Sequence, residues 1–262
     1  MADTLNIREI WGVVDPAVLE RIVVVSPHFD DAALGAAHLL ASYPGCTVIT
    51  VLGGEPPKYP DHVTPWDELG GFATGDDVVA ARREEDRTAM AFTDATPVWL
   101  EFPDHQYLAE ADRPTPPDVA PSLGRAIAAA EPTAVFLPMG IANPDHVLTH
   151  DAGLVAREEL GQRGAEITWF CYEDHGYKHL PGMLAWRISK LFNAGLWATP
   201  SIVPITPDMD HKRALIEIYK TQVAPLEQDH MLAERFDANV PEQFWRLAAP
   251  IPAILESLMG DV

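Results

Sequence analysis

The stretch Arg21-Ile22-Val23-Val24-Val25-Ser26-Pro27-His28-Phe29-Asp30-Asp31 carries an unbroken apolar run straight into a cluster of imidazole and carboxylate side chains. A short continuous apolar run of this kind reads as a buried strand. Pro27 ends it, and the small-residue segment 31–42 follows as a helix. Working outward, strands are expected at 46–52, 96–100, 133–138 and 166–172. Helices are expected at 76–92, near 121–130, and from about 146. Such strand–helix alternation predicts an α/β, Rossmann-like fold, with a mostly parallel sheet and helices on both faces. From about residue 183 the chain reads as helical with Pro-rich breaks, its clearest helix at 212–222. This part is expected to pack on the same domain, giving a single domain over 1–262 with a core at about 21–175 and an elaboration at about 183–262. Segments 53–75 and 103–117 have no periodicity, and long loops of that kind are often functional.

Composition narrows the function classes. The chain has 262 residues, 47% of them apolar, with 18 basic against 39 acidic side chains and a net charge of −21. So acidic a chain lacks the basic stripe of a nucleic-acid or anionic-lipid binder. No apolar run approaches the length of a membrane span. Residues 1–9 are polar and mixed in charge, so no signal peptide is read and a cytoplasmic protein is expected. Cys46 and Cys171 fall in expected strands and read as small core residues rather than a disulfide framework.

In an open α/β sheet, ligands bind at the carboxyl edge of the strands. His28, Asp30 and Asp31 follow the first strand at that edge, and Asn143-Pro144-Asp145-His146 follows the strand at 133–138. Taken singly, each cluster reads equally well as a helix cap beside a surface histidine. Taken together they supply imidazole and carboxylate donors suited to zinc or a similar divalent ion. Three protein ligands with an open position describe a catalytic site rather than a structural one. His150 lies one helical turn beyond His146 on the same face.

These residues carry a family resemblance. His28-Phe29-Asp30-Asp31 resembles the AHPDD motif of the zinc-dependent N-deacetylases related to N-acetylglucosaminyl-phosphatidylinositol de-N-acetylase, the PIG-L or LmbE-like family. Arg82, Glu85 and Ala89 fall in register with that family's RxxExxxA helix, and Asn143 to His146 looks like its HPDH motif. Segments 102–104 and 172–174 are weaker echoes, and the resemblance spans roughly 21–175. It implies His28, Asp31 and His146 as zinc ligands, with Fe2+, Co2+ or Ni2+ also compatible with such donors. It implies Asp30 as the general base toward a zinc-activated water, and hydrolysis of a linear amide to a free amine and a carboxylate, commonly acetate. The implied partner is a small N-acylated molecule, an amino sugar or a natural-product or thiol-cofactor intermediate.

One position departs from the pattern. Asn143 stands where the family commonly has a histidine thought to stabilise the tetrahedral intermediate. An amide donates a neutral hydrogen bond but carries neither charge nor a transferable proton. Three readings stay open. Another histidine replaces it, with His150, His105 and His175 as candidates; Asp30 manages both proton transfers; or the chain is a weakened or non-catalytic relative that binds metal and ligand. Retained activity is favoured, because the metal set and Asp30 are intact, with Asp30, Asn143 and His150 as the catalytic candidates. Substrate contacts are expected from Glu55, Arg82, Asp104, His105 and His175. Arg82 and Glu85, three apart on a helix, are read equally well as a pair with each other. His38 reads as a core residue, and Trp66, Trp186 and Trp197 as either pocket walls or packing. Segment 54–112 holds 14 acidic and 4 basic residues, and if these flank the site mouth they disfavour a phosphorylated substrate.

Overall fold

The computed structural model describes residues 12–237 and 241–249. Strands β1 (Ile22–Ser26), β2 (Thr47–Thr50), β3 (Thr96–Trp99), β4 (Ala134–Pro138) and β5 (Thr168–Tyr172) pair in parallel. Strands β6 (Trp197–Ser201) and β7 (Phe244–Ala248) complete a seven-stranded sheet of order β3-β2-β1-β4-β5-β7-β6, with β7 antiparallel to both neighbours.

Helices cover both faces, as the sequence predicts. On one side pack α1 (Asp31–Ser42), α3 (Val78–Phe92), α7 (Met209–Glu217), α8 (Lys220–His230) and α9 (Leu232–Asp237). They bury Val24, Val48, Phe136 and Phe170. On the other lie α4 (Pro116–Ala129), α5 (Pro144–Gln162) and α6 (Met183–Asn193), over Val23, Val25, Val135 and Leu137. Adjacent residues of β1 and β4 thus feed opposite cores, which is why these strands read as continuous apolar runs. The small side chains of α1 let it press on the sheet: a Cβ at Gly35 would lie 2.5 Å from the Tyr172 ring.

Three local differences from the sequence reading have physical causes. The described part of the 183–262 segment is helical as expected, although the helix expected at 212–222 is split into α7 and α8 at 218–219, and it also supplies β6 and β7. Pro200 lies in β6, the outermost strand, where a missing N–H is tolerated, and Arg246 interrupts β7, so neither has a clean strand pattern. Segment 53–75 holds one short helix, α2 (Pro65–Leu69), capped by the Thr64 side chain. Helix α4 begins at Pro116 rather than near 121, because Thr115 and Asp118 form a capping box and the opening prolines need no intrahelical N–H partner. Cys46 and Cys171 are buried, unpaired core residues, and burial pushes the Cys46 thiol up to about 12. Among the described residues, no helix is long and apolar enough to cross a membrane.

Candidate active site

The β1–α1 turn is closed by Ser26, whose hydroxyl donates to the His28 carbonyl at 2.6 Å and accepts from the Ala32 amide at 2.9 Å. Asp31 folds back to accept from the His28 amide at 2.9 Å. Asp30 stands at the N-cap of α1 but makes no capping bond, so the cap reading of this residue does not hold. Its carboxylate instead lines a cavity of about 220 Å³ above the carboxyl edge of β1 and β4. Burial first, then the charge of Asp31, raise the Asp30 carboxyl to about 7.

His28, Asp31 and His146 place one donor atom each within 4.8 Å of one another. His28 Nδ1 lies 3.1 Å from Asp31 Oδ2, and His146 Nε2 lies 3.3 Å from Asp31 Oδ1. Each imidazole is backed by a second carboxylate on its far nitrogen. His28 Nε2 is 3.1 Å from Asp145 Oδ2, and His146 Nδ1 is 2.5 Å from Asp174 Oδ1. A carboxylate behind a histidine fixes the tautomer and leaves the other nitrogen's lone pair for a metal. Two imidazoles so oriented, one carboxylate and an open cavity fit a divalent ion. Burial opposes charge on both rings, yet the carboxylates outweigh it and both histidines sit above their ordinary pKa. His146 and His28 likewise outweigh burial at Asp31 and hold its carboxyl low. A second set, His28, Asp104 and Asp145, also lies within 4.8 Å. It uses the far nitrogen of His28, where Asp145 is already engaged by His105, so Asp145 orients His28 from behind.

The remaining expectations separate cleanly. Arg82, Asp104, His105, Asn143 and Trp66 line the cavity. Arg82 is buried and pairs with Asp67 at 2.7 Å, not with Glu85. Glu85 accepts from the backbone amide and hydroxyl of Thr221 at 3.0 and 2.8 Å. Asp104 caps the turn at 105–107 through the Gln106 amide, and His105 Nδ1 rests against Asp145. Asn143 caps α5: its carbonyl accepts from the Asp145 amide at 2.8 Å and its NH2 donates to the Tyr177 hydroxyl at 3.0 Å.

Three expected site residues are not brought to the cavity. His150 is fully buried behind it, with Nδ1 2.7 Å from the Pro138 carbonyl. One turn along α5 carries its ring under β4 and against Gly140 rather than over the sheet edge. Glu55 is exposed and lies 3.9 Å from Arg83, because Arg83 draws this loop toward α3. His175 is buried between the rings of Phe236 and His179, facing the C-terminal helices. His38 is a core residue, as expected, with its amide on Glu242. Trp186 and Trp197 do not line the cavity, and Trp186 is half exposed.

Asp145, Asp174, Tyr177, Gln222 and His230 were not among the site residues expected from the sequence. Asp145 sits inside the quoted motif and Asp174 inside the 172–174 echo, so both had a local signal. Gln222 and His230 reach the cavity from α8 and had none.

A family model described as PIG-L, GlcNAc-PI de-N-acetylase, matches residues 23–157. The chain belongs to the PIG-L family. The matched region holds His28, Asp30, Asp31, Asn143 and His146, while α6 to α9, β6 and β7 lie beyond it. Among solved structures, this PIG-L chain is similar to the A40926 pseudoaglycone deacetylase, at 24% identity and a TM-score of 0.69 over 88% of this chain and 98% of that one. It is similar to the zinc-inhibited form of teicoplanin deacetylase, at 22% identity and 0.69 over 88% and 99%. It is also similar to N,N'-diacetylchitobiose deacetylase from Pyrococcus horikoshii, at 15% identity and 0.52 over 88% and 84%. These likenesses bear on the fold, and they extend it past the matched region. No curated protein matches the sequence.

Proposed function

We propose that this protein is a metal-dependent amidohydrolase that removes an N-acyl group, N-acetyl foremost, from a small molecule bearing an amino sugar. The observation that carries the reading is the His28–Asp31–His146 donor set beside the uncapped carboxylate of Asp30, in one cavity. Membership of a family named for a de-N-acetylase supports the reaction class. The sugar and glycopeptide deacetylases among the structural relatives support the substrate class.

His28, Asp31 and His146 would hold the ion, and a divalent ion such as Zn2+ supplies Lewis acidity toward water and an amide carbonyl. Asp145 and Asp174 keep the two imidazoles turned inward. Asp30, raised by burial, accepts a proton from the attacking water. Trp66 and Leu226 give the cavity an apolar wall suited to a sugar face. A second reading, ligand binding without turnover, rests on Asn143, whose amide is engaged in capping and carries no proton to give.

The test is metal analysis of the purified protein, followed by acetate release from N-acetylglucosamine and its glycosides with and without chelator. Chelation is expected to abolish release. Asp30→Asn is expected to lose roughly 10²- to 10⁴-fold in kcat while keeping its metal. Full activity of Asp30→Asn, or metal-loaded protein with no turnover on any acetamide, would overturn the reading.

A further inference from the structure

We infer that His105 is a catalytic residue of this site, the proton donor to the departing amine, a position that Asn143 leaves without a transferable proton. The inference rests on the amidohydrolase reading above. Of the three histidines that remain candidates from the sequence, only His105 lines the cavity; His150 and His175 face other packing. The other cavity histidine outside the metal set, His230, is wedged against Trp66 and Tyr177 with no carboxylate bonded to its ring.

His105 has the construction a proton carrier needs. Its backbone amide lies 3.3 Å from Asp145 Oδ2, and its Nδ1 is bonded to the same oxygen. Two attachments to one buried carboxylate fix both the main chain and the ring. With Nδ1–H donating its hydrogen bond to Asp145, Nε2 is the ring atom left for the cavity. Among the described residues it has no protein partner, and the side chain keeps 30% of its exposure. A carboxylate behind the ring sets its direction and leaves Nε2 to carry the exchangeable proton, the logic of an acid–base histidine held by an aspartate. Of the other cavity groups, Arg82 is paired with Asp67, and the Asn143 amide is engaged by Tyr177 and the α5 backbone.

The step balances as follows. Water adds to the amide carbon, one of its protons passes to Asp30, and the carbonyl π pair moves to oxygen. On collapse that pair reforms the carbonyl, and the C–N bond breaks with its electrons on nitrogen. Nitrogen takes the Nε2 proton of His105. The products are acetic acid and the free amine, with Asp30 protonated and His105 neutral; the Asp30 proton returns to His105 through water, and the acid's proton passes to the amine.

The experiment compares wild type, His105→Gln and His105→Ala on N-acetylglucosamine, with metal content and melting temperature measured alongside. His105→Gln is expected to lose about 10²- to 10³-fold in kcat, with KM within about threefold and metal content unchanged. Added imidazole is expected to restore at least tenfold to His105→Ala, which a structural defect would not permit. On an N-acetylated nitroaniline, whose amine leaves without protonation, the His105→Gln defect should shrink below tenfold. Equal kcat for wild type and His105→Gln would overturn this inference alone, as would a loss in His105→Ala that imidazole does not relieve. A wild type inactive on every acetamide would overturn the underlying amidohydrolase reading as well.

Discussion

Two buried histidines outside the cavity set the acid limit of the fold. Burial, followed by the charge of Arg187, pushes His150 down to about 4. Burial, followed by Lys212, pushes His175 down to about 2. Both folded-state values are depressed below the unfolded value near 6.5, so the unfolded chain binds protons that the native one does not. Stability is therefore full above pH 6.5 and falls as pH drops, by up to roughly 1.4 kcal/mol per unit for each ring, down to its folded value. Denaturant unfolding at pH 7 and pH 5 should show this fall. His175→Gln, at a ring whose Nε2 has no partner, is expected to flatten it by about half.

At the scale of elements, the wall of the cavity is built by ties between loops and helices. Arg82 on α3 reaches Asp67 on α2, and the Tyr107 hydroxyl donates to the same carboxylate at 2.9 Å. Asp67 is 2% exposed, so removing its cation leaves a charge buried and unpaired. Arg82→Ala is expected to cost about 3–5 kcal/mol, whereas Arg82→Ala with Asp67→Asn should recover most of it; chemical denaturation of the three proteins measures this. These ties also explain what the sequence disclosed. Strands β1, β2, β4 and β5 were legible because both faces are buried and their apolar runs are continuous. β6 and β7 were not, because proline at an edge and arginine in mid-strand break the pattern. In the site, His28, Asp30, Asp31 and His146 were legible because they sit in two short segments at strand ends. His105 and Arg82 line the cavity, while Glu55, His150 and His175 do not. Their orientation depends on partners such as Arg83, Pro138 and Phe236 that only the folded chain brings near. Gln222 and His230 come from a helix whose approach to the sheet edge no local spacing encodes.

Across the whole molecule, the charge of −21 acquires a direction. Asp30, Asp31 and Asp104 line the cavity, and among the described residues Arg82, bound to Asp67, is its one lysine or arginine. A bound divalent ion would offset these carboxylates at the metal, so the field should disfavour a phosphate group, and suit a product that leaves as a cation, away from the ion, where the acidic side chains of segment 54–112 lie. At low ionic strength, KM for N-acetylglucosamine 6-phosphate is expected to exceed that for the uncharged sugar by at least tenfold. The gap should narrow as salt approaches 0.5 M. Equal KM values at low salt would show that the acidic surface is only solvated and does not reach the substrate.

The place of β7 between β5 and β6 bears on biosynthesis. Until residues 244–248 have left the ribosome, β5 has an open outer edge and β6 has no partner strand. Glu242, just ahead of β7, also completes the buried cluster with His38 of α1 and Lys212 of α7. The sheet thus closes only once β7 has followed β6, and the nascent chain carries an exposed pairing edge from the completion of β5 until β7 emerges. The order of synthesis, more than the strength of any single contact, sets the interval in which an unpaired strand edge is open to aggregation.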